Sequence, residues 1–248
     1  MKGNFLDNRL TVAATAFSSK FKDYQQNSGS YIPETLVYVT RLNSLEGVET
    51  KGLELDMNML ATRQLLVNVN LAYTDATITG YKNASCYQVA GSPNGGFNEK
   101  CIIRNPLFGN QNTSDVTGGR MPFAPKRKAT INAKYDVPFP NSSIDGFVTG
   151  TVTYASDMVT NLDQNPINMV QPTTYLHAGF GVREKKGKWA LSFRVNNVMD
   201  RQYRGNRSFP LASFNAAAPN PVATVVTTTW TPQRNAFRYI SAKFDYKF

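Results

Sequence analysis

No run of apolar residues in this 248-residue chain approaches the roughly 18 that a membrane-spanning helix needs, which excludes a helical membrane protein. Histidine is nearly missing. His177 is the only one, and its neighbours by alternation are Tyr175 and Gly179. With no serine or cysteine nucleophile motif beside it, nucleophilic or acid–base catalysis has no set of residues to act through. Glu54 and Asp56 sit two residues apart, so they share one strand face instead of flanking a cleft. A glycine-rich phosphate loop is also missing. The chain is therefore not expected to be an enzyme, and no catalytic residue, cofactor or metal is assigned.

Cysteine is scarce as well. Cys86 and Cys101 lie in one polar, glycine-rich stretch and form neither a CxxC pair nor part of a His/Cys set, so zinc does not fit. A disulfide between them would close a loop of about 15 residues, contribute roughly 3 kcal/mol and suit an oxidising compartment. Two unpaired thiols in a reducing compartment are the alternative. Acidic residues are fewer than basic ones, 17 against 27, giving a net charge of +10. The basic residues are scattered apart from 126–128 and Arg183, Lys185, Lys186 and Lys188. Neither cluster lies in an RNA-recognition or helix-turn-helix context, so no nucleic-acid partner is expected. Such clusters can instead cap strand ends at a charged membrane surface. LTVAATAF near the start is short, threonine-rich and preceded by Asp7 and Asn8, which is unlike a processed signal peptide. The expectation is a fragment whose export signal lies outside it.

What the chain has is alternation. At its end Ile240, Ala242, Phe244, Tyr246 and Phe248 are apolar, while Ser241, Lys243, Asp245 and Lys247 are polar. A period of two marks a strand with one apolar and one polar face. Further strands are predicted at 10–24, at 35–59 with an interruption near 43–47, and at 65–78, 129–137, 147–156, 175–182 and 189–197, after an N-terminal stub. In the second of these Leu53, Leu55, Met57 and Met59 alternate with Gly52, Glu54, Asp56 and Asn58, a polar face too charged for a dry core. Long stretches without period, 79–125 and 199–234, alternate with short turns such as LATRQ and REKKGK. Short turns at one end and long loops at the other are the layout of an outer-membrane barrel. The predicted fold class is therefore all-β, an antiparallel up-and-down transmembrane β-barrel of about eight strands. Val67, Leu71, Ile131, Leu191 and Phe244 are expected to face lipid, and Asn68, Glu54, Lys134, Arg194 and Lys243 the lumen.

Four segments, in order, carry a family resemblance. GVETKGLELDMN (47–58) resembles the G-x-E-L-E strand of TonB-dependent outer-membrane receptors. MPFAPKRKATINAKY (121–135) resembles the P-x-x-P-K/H lead into one of their descending strands. LSFRVNNVMDRQYR (191–204) resembles their penultimate strand, and Phe244, Tyr246 and Phe248 their aromatic terminus, which the barrel-assembly machinery reads. The resemblance implies that residues 1–248 are the C-terminal portion of a larger barrel of about 22 strands in the cell outer membrane of a Gram-negative bacterium. A plug domain and preceding strands would then lie outside this chain. It further implies TonB-dependent uptake of a scarce ligand of the siderophore–iron, cobalamin or oligosaccharide class. The partners implied are outer-membrane lipid and lipopolysaccharide, the assembly machinery, the rest of the receptor and, only through the missing N-terminal part, the TonB complex. Candidate ligand contacts are the aromatic and basic groups of the two long loops: Tyr87, Phe97, Arg104, Phe108, Arg204, Arg207, Phe209 and Phe214. A self-contained eight-stranded adhesin or anchor, and a soluble sugar-binding sandwich, are the alternatives.

Overall fold

The structure, a computed structural model, describes residues 1–32, 37–87, 89, 96–108, 111–208, 229–232 and 236–248, and only the backbone at 28–32, 37–41, 108, 111, 206–208 and 229–231. Nine antiparallel strands form one sheet in sequence order. They are β1 (Lys2–Phe5), β2 (Leu10–Ile32), β3 (Val37–Leu60), β4 (Leu65–Gly80), β5 (Arg127–Val137), β6 (Ile144–Ala155), β7 (Thr173–Glu184), β8 (Trp189–Asn196) and β9 (Tyr239–Tyr246). The eight expected strands are all present.

Two expectations are corrected. The N-terminal stub is itself a strand, paired from Lys2↔Ala13 to Phe5↔Leu10. Four residues are too few to display a period, and only the partner strand fixes them. The interruption expected near 43–47 does not occur either, because the ladder to β2 continues through Gly47↔Lys22 and Asn43↔Gln26. The local irregularity is instead a register shift against β4 between Gly47 and Val48.

Paired residues in an antiparallel sheet point to the same face, so each rung tests the pattern. One rung runs Met59–Val67–Ala133–Gly150–Ala178–Val195–Ile240 across seven strands. A neighbouring one runs Met57–Val69–Ile131–Val152–Leu176. The alternate rungs are polar: Asp56–Asn70–Thr130–Thr153–Tyr175 and Asn58–Asn68–Asn132–Thr151–His177. Polar neighbours bond along these rungs, with Asn70 Nδ2 donating to Asp56 Oδ1 at 2.6 Å and Thr151 Oγ1 to Asn132 Oδ1 at 2.9 Å. The apolar face is not covered by other parts of the described chain: Ile131, Phe180, Ile240 and Phe244 are all exposed on it. On β3 it runs from Leu53 to Met59, about 20 Å at 3.3 Å per residue, close to the roughly 25 Å apolar band of a transmembrane barrel. Glycine is required where an aromatic ring crosses the polar face. A Cβ on Gly52 would stand 2.4 Å from the Phe17 ring, and one on Gly181 2.5 Å from that of Phe147.

Short turns gather at one end. Leu6, Asp7 and Asn8 take left-handed φ values of 53°, 52° and 64° in the first, and the Arg9 guanidinium ties it to the next by donating to the Leu60 and Ala61 carbonyls at 3.0 and 2.6 Å. In the turn before β8, Gly187 supplies φ +75° and Glu184 accepts from the Lys188 N–H at 3.1 Å. The long connections all leave from the opposite end. There the polar face turns apolar, and Leu45, Val48, Ile78, Tyr81, Ala84, Val116, Met121 and Leu162 form a buried cluster that joins β3 and β4 to the loops above them.

Candidate ligand-binding loops

The first long loop is a folded unit. Its descending limb, 116–126, pairs along the upper part of β4, with Val116 N–H donating to Tyr81 O at 3.0 Å, Gly118 N–H to Ile78 O at 2.8 Å, Met121 N–H to Ala76 O at 2.9 Å and Thr74 N–H to Lys126 O at 2.9 Å. This continues the ladder that β4 makes with β5 lower down, so the proline-bearing MPFAPK segment is a strand lead-in with its own register. Above it, Ala84–Ser85, Gln111–Ser114 and Cys101–Asn105 form a three-stranded sheet. Cys86 and Cys101 are joined by a disulfide with Cα atoms 5.5 Å apart. Buried Asn98 holds the facing strand: its Oδ1 accepts from the Tyr87 N–H at 3.3 Å and its Nδ2 donates to Ser114 Oγ at 3.2 Å.

A second loop, 156–172, is stapled to the first. The Arg120 guanidinium donates to Asp157 Oδ2 at 2.7 Å and to the Asp157 carbonyl at 2.6 Å. The Gln164 amide meets the Arg120 backbone on both sides, accepting from its N–H at 3.0 Å and donating to its carbonyl at 2.8 Å. Gly119 allows that approach, since a Cβ there would stand 2.9 Å from Gln164 Cδ. Asn165 caps the short 3₁₀ turn Pro166–Asn168 by accepting from the Ile167 N–H at 3.1 Å.

Between the two loops lies a cavity of about 680 Å³ lined by Tyr87, Asn98, Glu99, Lys100, Ser114, Asp115, Thr117 and Asp163, among others. That volume falls within the ~300–1,000 Å³ range of small-molecule sites. The lining holds three carboxylates and one lysine. Burial pushes the Asp163 carboxyl above its usual range. Thr117, through its hydroxyl and its N–H, holds Asp115 below it. The arrangement offers hydrogen-bond acceptors, amides and hydroxyls around one aromatic ring, which suits a polar ligand of low negative charge.

Of the residues singled out from sequence, Tyr87 lines this cavity. Phe97, next in sequence to the lining residue Asn98, is half-buried, while Arg104 is exposed at left-handed φ 49° with its N–H bonded to Asn112 Oδ1 at 2.9 Å. Phe108 ends the 3₁₀ turn Pro106–Phe108, with only its backbone described. Arg204 and Arg207 pair through their backbones with Pro232 and Trp230 in a two-stranded extension of the last loop, and the Arg204 side chain is exposed. Phe209 and Phe214 lie outside the described residues. In sequence those residues fall in two loops, and of the described side chains Arg104 and Arg204 are not part of the cavity lining. Glu99, Asp115 and Asp163 were not anticipated. Their signal was the turn chemistry around them, Asn-Glu and Asp-x-Thr, which marks turns without saying what they enclose. At the other end Phe244 and Tyr246 face out with the apolar rungs, and Phe248 meets Tyr246 edge-on with ring centroids 5.1 Å apart.

The family described as TonB dependent receptor-like, beta-barrel matches residues 1–198. Among solved structures, the chain resembles the ferric yersiniabactin uptake receptor of Yersinia pestis at TM-score 0.60 and 13% identity, over 95% of this chain and 27% of that one. It resembles the copper transporter OprC at TM-score 0.59 and 13% identity, over 100% and 30%. It also resembles the ferripyoverdine receptor of the outer membrane of Pseudomonas aeruginosa at TM-score 0.53 and 13% identity, over 100% and 26%. The chain therefore spans between a quarter and a third of the length of these proteins. No curated protein sequence matches it.

Proposed function

We propose that this chain, which belongs to the TonB-dependent receptor-like β-barrel family and to the cell outer membrane of a Gram-negative bacterium, is the C-terminal part of a receptor barrel whose long loops capture a scarce ligand for uptake. The observation that carries this is the cavity between the first two long loops, which the Arg120–Asp157–Gln164 staple holds together and to whose wall Gln164 belongs. Short turns then face the periplasm and long loops the cell exterior. The family is one of receptors and transporters, and enzymatic chemistry is not proposed.

The ligand class stays that of scarce nutrients: siderophore–iron, cobalamin or oligosaccharide. With Glu99, Asp115 and Asp163 on the cavity wall against Lys100, an uncharged hydroxyl-rich or cationic ligand is favoured over an anionic chelate. Arg104, Arg204 and Arg207 remain candidates for contacts at the rim. Both outer strands of the sheet, β1 and β9, lack a second partner among the described residues. In this proposal preceding strands of the receptor close the barrel on those edges, a plug fills it, and the TonB complex acts through that plug. The assembly machinery would read the Phe244–Tyr246–Phe248 end. A self-contained eight-stranded barrel would instead require pairing between the two ends of this sheet.

Deleting residues 84–114 from the protein in its outer membrane should abolish ligand-dependent uptake while leaving membrane location and heat-modifiable gel mobility intact. Undiminished uptake would rule out the loop cavity as the capture site. The 248-residue chain alone, exported with an added signal into cells lacking the receptor, should restore no uptake. Restored uptake that depends on the proton-motive force would refute the partial-barrel proposal.

A further inference from the structure

His177 is buried on the polar face of β7, and its Nδ1 accepts from the Asn197 N–H at 3.3 Å. β8 ends at Asn196, and there the chain leaves the sheet to enter the last long loop. The Asn197 N–H is thus bonded to an imidazole in place of a ladder carbonyl, and a buried N–H left without any partner is costly. Asn197 is itself fully buried, and its amide ties the backbone of Arg201 to that of Ala236 on the far side of the loop. The neck meets β7 at two further points. Val198 N–H donates to the Leu176 carbonyl at 2.8 Å. The Tyr203 hydroxyl donates to the Thr174 carbonyl at 3.0 Å, with its ring edge-on to Tyr175 at 5.1 Å. Of these contacts only the one at His177 depends on a side chain whose charge ordinarily changes between about pH 5 and 8.

That contact needs one protonation state. A ring nitrogen that accepts carries no proton, so the imidazole is neutral with its hydrogen on Nε2. A proton taken up at Nδ1 would turn the acceptor into a second donor facing the Asn197 N–H. The groups around the ring offer the resulting cation no counter-charge. Thr151 of β6 is its rung partner, with Asn132 of β5 beyond it. On β8 the Asn196 side chain meets the ring, and Arg194, opposite Gly179, sets a charge of the same sign on the next rung of the same face. Tyr239 and Ser241 of β9 pair with those two residues. Tyr175 lies two residues away on β7, the ring centroids 6.4 Å apart. Among the described residues no carboxylate stands in ion-pair range of His177. The carboxylate at the neck, Asp200, is engaged by Arg238, accepting from its N–H at 3.0 Å and facing its guanidinium at 3.8 Å.

We propose that His177 is an acid-operated latch on the last long loop: a proton taken up from water at Nδ1 breaks the bond to the Asn197 N–H and frees the neck. No covalent bond between heavy atoms changes, and in the open state both ring nitrogens are donors. Closure requires the neutral ring. The stability it gives the neck is therefore fully present above the usual imidazole value of about 6.5 and is lost as pH falls below it. The rungs that join β7 to β6 and β8 do not include this bond, so the neck opens while the sheet beneath stays paired. The latch is independent of which ligand the loops capture.

The test uses the whole protein, purified from outer membranes and placed in nanodiscs. Amides of residues 197–203 and 236–238, corrected for intrinsic rate, should exchange about ten-fold faster or more near pH 5 than near pH 7.5, with β5 to β7 unchanged. The midpoint should coincide with the titration of His177 Nδ1, read as a nitrogen chemical shift and assigned by its loss in either His177 variant. His177→Gln keeps an acceptor and does not titrate, so its neck should stay closed at both pH values. His177→Phe has no acceptor and should be open at both. Asp200→Asn keeps its acceptor and should retain the wild-type pH dependence. Heat-modifiable mobility shows that each variant is folded. Equal protection at the two pH values in the wild type overturns the latch, as does a drop that persists in His177→Gln. A neck midpoint apart from that of His177 overturns it without recourse to any variant's folding. A drop that vanishes in Asp200→Asn transfers the effect to that carboxylate and overturns the latch too.

Discussion

Asn197 donates from Nδ2 to the Ala236 carbonyl at 3.0 Å and so joins the two ends of the last long loop. The same nitrogen donates to the Arg201 carbonyl at 3.1 Å, its Oδ1 accepts from the Arg201 N–H at 3.2 Å, and the residue is fully buried at left-handed φ 50°. Asp200 adds a second tie by accepting from the Arg238 N–H at 3.0 Å. The Asn-Asn-x-x-Asp motif after β8 is thus the clamp at the neck of the loop, made of two residue types that tolerate the left-handed backbone.

Asn197→Ala should leave several buried backbone groups without partners and cost about 1–3 kcal/mol. Limited proteolysis should then cut within 198–235 at concentrations that spare the wild type. Asn197→Asp, which keeps the acceptor but loses both donors, should fall between the two. Unchanged cleavage in Asn197→Ala would show that the neck is held elsewhere.

In protein taken from the cell envelope, Cys86 should be recovered linked to Cys101 when peptides are mapped without reduction. Opening the 15-residue loop by Cys86→Ser with Cys101→Ser should cost about 3 kcal/mol. The loss should appear as faster amide exchange in Cys101–Asn105 and Gln111–Ser114, with β5 to β9 unaffected. Free thiols in envelope protein would remove the disulfide from the account of the loop.

Leu71→Arg, at the middle of the exposed apolar rungs, should destabilise the membrane-inserted protein by about 2–4 kcal/mol, and an arginine nearer the band's edge by less. Asn70→Arg, one residue away on the polar face, should be tolerated far better. Single cysteines at Val67, Leu71, Ile131, Leu191 and Phe244 should resist a membrane-impermeant reagent. Those at Asn68, Glu54, Lys134, Arg194 and Lys243 should react once the lumen is opened. Equal reactivity of both sets would contradict a membrane-spanning sheet.

Asp163 should make the second loop sensitive to pH. Burial raises its carboxyl above the usual range, so the folded loop favours the protonated form more than the unfolded chain does. The resulting stability is fully present below the unfolded carboxylate range and is lost as pH rises through the raised folded value. Amides of residues 160–168 should therefore exchange with more protection, after correction for intrinsic rate, at acidic than at neutral pH. Asp163→Asn keeps an acceptor for the Asn165 N–H and should flatten that dependence. An identical slope in the variant would assign the effect to another group.

Legibility followed the range of the interaction. Leu53, Leu55, Met57 and Met59 declare their face within a few residues, because a strand's side-chain period is a property of its own backbone. Pro125, at the lead-in to a strand, and Asn197, through its bonds to Arg201 at a strand's exit, also act close to home, whereas the bond from Asn197 to Ala236 does not. The strand Lys2–Phe5 was not legible, since its conformation depends on pairing with Leu10–Ala13. Nor was the cavity. Asp163 reaches the wall through the Arg120–Gln164 staple, a bond between separate loops that no residue type in either loop declares.

The sequence by itself determined that this chain makes amphipathic antiparallel strands with short turns at one end and long loops at the other, and with the resemblance of its motifs it pointed to the outer membrane. These follow from local periodicity, turn chemistry and the height of the apolar band, each of which is written along a single segment. Only the tertiary structure decided that Glu99, Asp115 and Asp163 surround one cavity, and that His177 meets Asn197 at the neck of the last long loop. Residues far apart in the chain meet only when register is set, and register is a choice between strands, made by all their rungs at once.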